Sequence, residues 1–371
     1  MRKRKMKRGM GATESALLEG RGFDNEEADE FTIKESRRTG ESDSGRKEPM
    51  KTVSLACLLV VVSGSLWAQD RGHQLAGQAG KQKAVKCPQP NNLTSQQCHD
   101  QFPDGCSAAA NPNYDAYLDF LKDQDPDPSL ASTKNLVAAD FQSLETKLPQ
   151  LSSTKSGKGK AKKSQPLNAS NHATFANQLA GLGEGNIYTV IAYLYFAQDT
   201  SQASRGHTAT GETCNCRSSD AANFDYHIGL GFDANLAAQA LSQHPQEGSA
   251  LFTQLQKGSV VAEMTPYPRH TRHANWTFVR VNSHQGGQVK VVGQLMVDNY
   301  HFKAADDCGL KGAAPGCWRS TVWEMHPLMK FYVCNVSSGC DALSPDSAWA
   351  DLDNPQTTSP AKGKKGKKSK S

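Results

Sequence analysis

Two histidines and three carboxylates carry the only spacing in this chain that suggests chemistry. Asp225 and His227 are two residues apart, as are Glu324 and His326, and Glu263 falls between the two pairs. Residues i and i+2 of a strand project from the same face, so each pair would set an imidazole beside a carboxylate. Asp298 and His301 follow at a turn. Such a set is adequate for a divalent metal, and its mixed N/O character suits zinc or manganese. His227, Glu263, Glu324 and His326 are the expected ligands. The same groups could instead form a general acid/base pair. A plainer reading competes with both: the solvated polar face of a half-buried sheet, or buried polar groups bonded to loops. It gains weight because the sequence has no HExxH, no CxxC and no Gly-rich phosphate loop. His207, His244, His270, His273 and His284 fall in expected loops and read as surface residues. Arg269 and Arg272 could hold an anion beside Glu263, but a solvated loop is the simpler account.

Five strand-like segments must position these groups, at 186–198, 224–232, 259–265, 288–298 and 320–334. The second alternates cleanly, with apolar residues at every even position and Asp225, His227, Gly229 and Gly231 at the odd ones. The first is rich in β-branched and aromatic residues, as a strand covered on both faces would be. Pro266 ends the third, Gly293 marks a bulge or barrel corner in the fourth, and Pro327 implies a kink or an edge in the fifth. Residues 234–255 read as a helix between the second and third strands. This pattern predicts a mainly β fold: a five-stranded Greek-key barrel of the oligonucleotide/oligosaccharide-binding (OB-like) type with a helical insertion. The first strand is expected to pair with the second and fourth. The fifth is expected to close the barrel through the first and third. Tyr188, Tyr193, Tyr195 and Phe196 could stack on sugars or bases, but core packing is the commoner use of such rings, and Trp276 and Trp323 are assigned to packing too.

Upstream, residues 1–49 are dense in both charges and nearly free of apolar runs, which suits either a disordered extension or a mistaken gene start. Residues 50–68 read as a secretory signal peptide, with one lysine, an apolar run from Val53 and a small residue at Ala68, so the mature chain should begin near Gln69. The run is too short for a transmembrane span. Export makes disulfides the default for the nine cysteines beyond Cys57. Cys308–Cys317 and Cys334–Cys340 would each close a short loop, and two of Cys87, Cys98 and Cys106 would staple a helical segment at 69–152. Cys214-Asn215-Cys216 has the wrong spacing for a zinc or redox motif, so pairing elsewhere is expected; with an odd total, one thiol must stay free or link chains. Within 69–152, residues 113–121 and 136–148 form amphipathic helix candidates, and 171–182 a further helix leading into the first strand.

Charge is uneven along the chain. The net is +5, yet five lysines crowd a linker at 153–170 and six more lie in a tail at 341–371. Subtracting those eleven from the net leaves −6, and residues 186–334 hold eleven basic and eleven acidic groups. A nucleic-acid-binding barrel needs a basic groove interleaved with aromatics, and none is visible. The lysine stretches read as solvated, with weak salt-sensitive contact to anionic surfaces (lipopolysaccharide, phospholipid headgroups, extracellular DNA) as their expected partnership.

The runs GEGNIYTVIAYLYFAQ, CNC, FDYHIGLGFD, VVAEMTPYPR, VKVVGQLMVDNYH and TVWEMHPLMKFYVC resemble a family of exported bacterial proteins frequent in soil acidobacteria, over residues 170–340. That family is defined by sequence, so the resemblance implies a shared domain at 171–340 and no mechanism. Its recurrent positions match Asp225, His227, Glu263, Pro266, Trp276, Gly293, Asp298, His301, Trp323, Glu324, His326 and Pro327. The sequence thus points to a periplasmic or extracellular module that binds an unidentified ligand or associates with the envelope. The alternative is a metal-dependent, phosphodiesterase-like hydrolase using the His/carboxylate face.

Overall fold

The computed structural model describes residues 74–77, 85–88, 92–107, 115–151, 153–154, 164–199 and 211–354. The expectations for 1–49, the signal-like run 50–68, the lysines of the linker, His207 and the lysine-rich end of the tail lie outside those residues. Five long strands form the framework: β1 (Ile187–Asp199), β2 (Tyr226–Gly231), β3 (Ser259–Met264), β4 (Gln288–Val297) and β5 (Trp323–Cys334). They close into a barrel in the order β1–β2–β3–β5–β4–β1. The length of β1 makes closure possible. Its first half pairs antiparallel with β4, from Ile187↔Gln294 to Tyr193↔Gln288, and its second half with β2, out to Asp199↔Tyr226. The fifth strand meets the expectation at β3 and departs from it at β1. It runs parallel to β3 at Ala262↔Met325 and antiparallel to β4, and does not pair with β1.

Alternation sorts the strand residues. Val190, Ala192 and Leu194 of β1, Ile228 and Leu230 of β2, Ala262 and Met264 of β3, Val291 and Leu295 of β4, and Trp323 and Met325 of β5 share one buried cluster, the barrel interior. On the outer face of β2, a Cβ at Gly229 or Gly231 would run into the rings of Phe196 and Tyr195, so those two positions need glycine. Those rings pack against Phe252 and so belong to a second core, as expected. Gly293 does mark a register shift in β4, where a Cβ would sit 2.9 Å from the Pro327 carbonyl. Pro327 therefore occupies a bulge inside the barrel wall, not an edge.

Helices α1 (Ser95–Gln101), α2 (Ala116–Lys122), α3 (Ala138–Glu145) and α4 (His172–Leu182) precede the barrel. Asp115 caps α2, accepting from the backbone N–H of Tyr117 and Leu118. The insertion predicted as one helix is two, α5 (Ala234–Gln243) and α6 (Ala250–Lys257). His244 ends α5 in the left-handed region at φ 44°, because a residue before proline disfavours continued helix and Pro245 follows. Short helices α7 (Pro266–Thr271) and α8 (Phe278–Asn282) link β3 to β4.

Leu136, Phe141, Leu144 and Leu148, together with Phe175 and Leu179 of α4, belong to the same cluster as the barrel interior. Tyr117, Leu118 and Leu121 of α2 instead pack with Ala176, Ala180 and Met296, on the outer side of β4. Among the described residues four disulfides are present: Cys87–Cys106, Cys98–Cys216, Cys308–Cys317 and Cys334–Cys340, with Cys214 as the buried free thiol. Both short-loop pairs match expectation, and the Cys98 bond ties α1 to the loop before β2. The disordered tail expected at 341–371 does not begin at 341, because residues 341–354 are part of the fold. Strand β6 (Trp349–Asp351) pairs with the end of β5, and Leu352 enters the main core. Among the described residues no helix is long and apolar enough to cross a membrane.

Candidate functional site

Since Ile228, Ala262, Met264, Trp323 and Met325 point inward, His227, Glu263, Glu324 and His326 must project from the outside of the barrel. The pairing brings them together there. His227 stands opposite Glu263 in the β2–β3 ladder, and the Ala262↔Met325 register sets His326 and Glu324 alongside. His227 Nε2 lies 3.3 Å from Glu263 Oε1, and His326 Nδ1 lies 3.1 Å from Glu263 Oε2. The same Nδ1 is 3.3 Å from Glu324 Oε1, while Arg319 donates to Glu324 Oε2 at 3.3 Å. Asn215 donates to Asp225. Five of the seven expected residues therefore converge around Glu263.

An outward face would ordinarily be wet, yet Asp225, Glu263, Glu324 and His326 are all buried. The solvated-face reading therefore fails at these positions. The cover comes from α2 and the loop around Glu212. Lys122, the last residue of α2, places Nζ 2.7 Å from Glu212 Oε2 and 3.1 Å from Asp298 Oδ2. Asp119, one turn earlier, accepts from Thr213 Oγ1 at 2.9 Å. Asp115 ties α2 to α4 as well, accepting from the His172 N–H at 3.1 Å. One edge stays open: the Glu212 and His227 side chains are 37% and 19% exposed.

His301 departs from expectation. Its Nδ1 bonds Asp306 at 2.7 Å and its Nε2 is 4.0 Å from Asp298, so Asp298 joins the cluster through Lys122 and not through a shared metal set. Arg269 serves structure too. It donates to the carbonyls of Ala222 and Phe224 and lies over the Tyr226 ring at 3.6 Å, leaving no anion seat beside Glu263. His273, expected at the surface, is buried between Trp276, on which it stacks, and Asp353. Lys122, Glu212, Asp119, Asp123 and Arg319 are the members that sequence reasoning missed. Only Glu212 carried a signal, standing two residues before the Cys214-Asn215-Cys216 run.

The electrostatics follow from burial and from who faces whom. Burial, then the charges of Glu263 and Glu212, push the Asp225 carboxyl up to about 8, so it is largely protonated at neutral pH. Burial also pushes Asp119 and Asp123 well above the usual carboxylate range. Burial works against Glu263 in the same way, but His227, Lys122 and His326 outweigh it and hold Glu263 well below that range. Against its own burial, the Glu263 charge and the contact with Glu324 keep the His326 imidazole protonated well above its usual range. Asp298 is held far down by Lys122 despite burial. The result is one firmly anionic carboxylate between two imidazoles, with a proton-bearing carboxyl beside it.

No protein-family model, curated protein or solved structure matches this chain. The site must therefore be judged by its own geometry. Among the described residues, three groups have ligand atoms within 4.8 Å of one another: Glu212/His227/Glu263, Asp225/Glu263/His326 and Glu212/Cys214/Asp225. Glu324, an expected ligand, is instead engaged by Arg319 and His326. A cavity of about 340 Å³ lined by Phe196, Asp199, His244 and Phe252 shares no residue with this cluster, and its mixed lining converges on no reactive group.

Proposed function

We propose that this chain is an exported, non-catalytic binding module on an OB-like Greek-key barrel, and that the polar outer face around Glu263 binds a cationic ligand. The carrying observation is the burial of Glu263, Glu324, Asp225 and Asp298 around two permanent cations, Lys122 and Arg319. Buried charges are paired or coordinate metals, and here they balance only because Asp225 keeps its proton and His326 carries one, two protons that a bound cation would replace. The pairing of β1 with both β2 and β4, and the parallel β3–β5 contact, support the OB-like assignment. The signal-like run and four disulfides support export. The lysine-rich stretches would then add loose contact with anionic envelope surfaces. Thermal unfolding against a panel of calcium, magnesium, manganese, zinc and spermidine tests the reading. At least one cation should raise the midpoint in a concentration-dependent way; no response to any of them would discard it.

One observation favours the hydrolase alternative. Asp225, poised near neutrality, and His227, at the open edge, would supply a proton donor and an accessible imidazole. Cleavage of bis(p-nitrophenyl) phosphate, lost in Asp225→Asn, would move the assignment to an enzyme.

A further inference from the structure

We infer that the polar face holds two divalent transition-metal ions side by side, bridged by the Glu263 carboxylate. His326 and Asp225 complete the inner position, and His227 and Glu212 the outer one. This rests on the cation-binding reading above and specifies the cation.

Glu263 belongs to two of the three metal-capable groups, with Oε1 toward His227 Nε2 and Oε2 toward His326 Nδ1. Two ligands about 2.1 Å from one tetrahedral ion stand about 3.4 Å apart. His227 Nε2 and Glu263 Oε1 are 3.3 Å apart, yet His227 Nε2 makes no hydrogen bond. That is the spacing of an ion's coordination edge without the alignment of a hydrogen bond.

The inner position has an independent mark. Glu263 Oε2 is buried with no hydrogen-bond partner, 3.1 Å from His326 Nδ1, again the spacing of a coordination edge without the alignment of a hydrogen bond. Glu324, which Arg319 holds, lies 3.3 Å from the same Nδ1 and is the group that competes with an ion for it. The outer position has a free lone pair as well, because Lys122 engages Glu212 Oε2 and leaves Oε1 on the His227 side, 3.9 Å from Nε2. Imidazole plus carboxylate on each side favours zinc or manganese over calcium or magnesium, which prefer all-oxygen shells.

The test uses the full chain, purified from an oxidising compartment without chelator, loaded with manganese or zinc and dialysed. Metal content should be about two ions per chain in the wild type and about one in His227→Ala and in His326→Ala, since each removes one imidazole. Glu263→Gln should lose both. Its circular dichroism, read alongside, separates lost binding from lost fold, and if that variant unfolds the two histidine variants decide. Manganese-loaded wild type should also give the exchange-coupled paramagnetic resonance spectrum of a bridged pair, collapsing to an isolated-ion signal in His227→Ala. One ion per chain, or two uncoupled ions, overturns the bridge. Calcium binding indifferent to both histidines overturns this inference but leaves the cation-binding reading standing. If no cation binds, both fall.

Discussion

Glu145 shows how far burial, helped by a neighbouring carboxylate, moves a side chain outside the candidate site. It accepts from Thr321 Oγ1 at 2.5 Å, and burial followed by the neighbouring Asp307 raises its carboxyl to about 7. The folded protein thus keeps a proton that an unfolded glutamic acid gives up near 4.5. Between those two values the native state binds more protons, so raising the pH through this window must lower stability, with the loss complete above about 7. The shift corresponds to a loss on the order of 3 kcal/mol. Glu145→Gln keeps the acceptor for Thr321 and removes the ionisation. The variant should match the wild type near pH 4.5 and be more stable at pH 8, as measured by denaturant midpoints at both. A difference that stays flat with pH would mean that Glu145 ionises normally. Lys122 is the opposite case: its ammonium stays charged far above its usual range because Asp298 and Glu212 outweigh its desolvation.

At the scale of elements, α2 and the Glu212 loop convert an outer barrel face into an interior. What holds that cover is only partly apolar. Tyr117, Leu118 and Leu121 pack on Met296, while Lys122 and Asp119 bond the loop and the strands. The Cys98–Cys216 bond closes a sequence separation of 118 residues and so restricts the unfolded chain strongly. The double variant Cys98→Ser/Cys216→Ser should lose about 3 kcal/mol. It should also speed hydrogen exchange in 211–218 and α2 before the barrel strands respond. Uniform acceleration across β1–β5 would show that cover and barrel open as one unit. The single variant Cys98→Ser is less informative, because it frees Cys216 two residues from the Cys214 thiol.

For the whole molecule, the last described residues belong to the fold. Leu352 donates its N–H to Phe331 O at 2.9 Å and is buried in the main core, and Trp349 packs with Ile191 and Tyr332. Ending the chain after Asn354 should leave the unfolding midpoint unchanged. Ending it after Cys340 removes both side chains and should cost about 4 kcal/mol, at 2 kcal/mol for each large buried side chain. Equal midpoints for the two truncations would mean that β6 adds nothing to the barrel.

Period-two alternation, read from residues alone, located all five strands within a few positions and put Asp225, His227, Glu263, Glu324 and His326 on matching faces. It could do so because side-chain parity is a local property of an extended backbone. Cys308–Cys317 and Cys334–Cys340 were legible for a similar reason, each closing a loop too short to need knowledge of the fold. The contact of β5 with β3 was anticipated, but that its other neighbour is β4 and not β1 was not legible. Parity says which way a side chain points, not which neighbour supplies the hydrogen bonds. Nor does it say what lies over the face. Burial of the polar cluster, the charges that Lys122 and Arg319 bring to it, and the Cys98–Cys216 staple all join residues far apart in the chain. Those contacts exist only once the barrel has closed and α2 has docked, so the tertiary structure alone decided whether this face meets water or a buried charge.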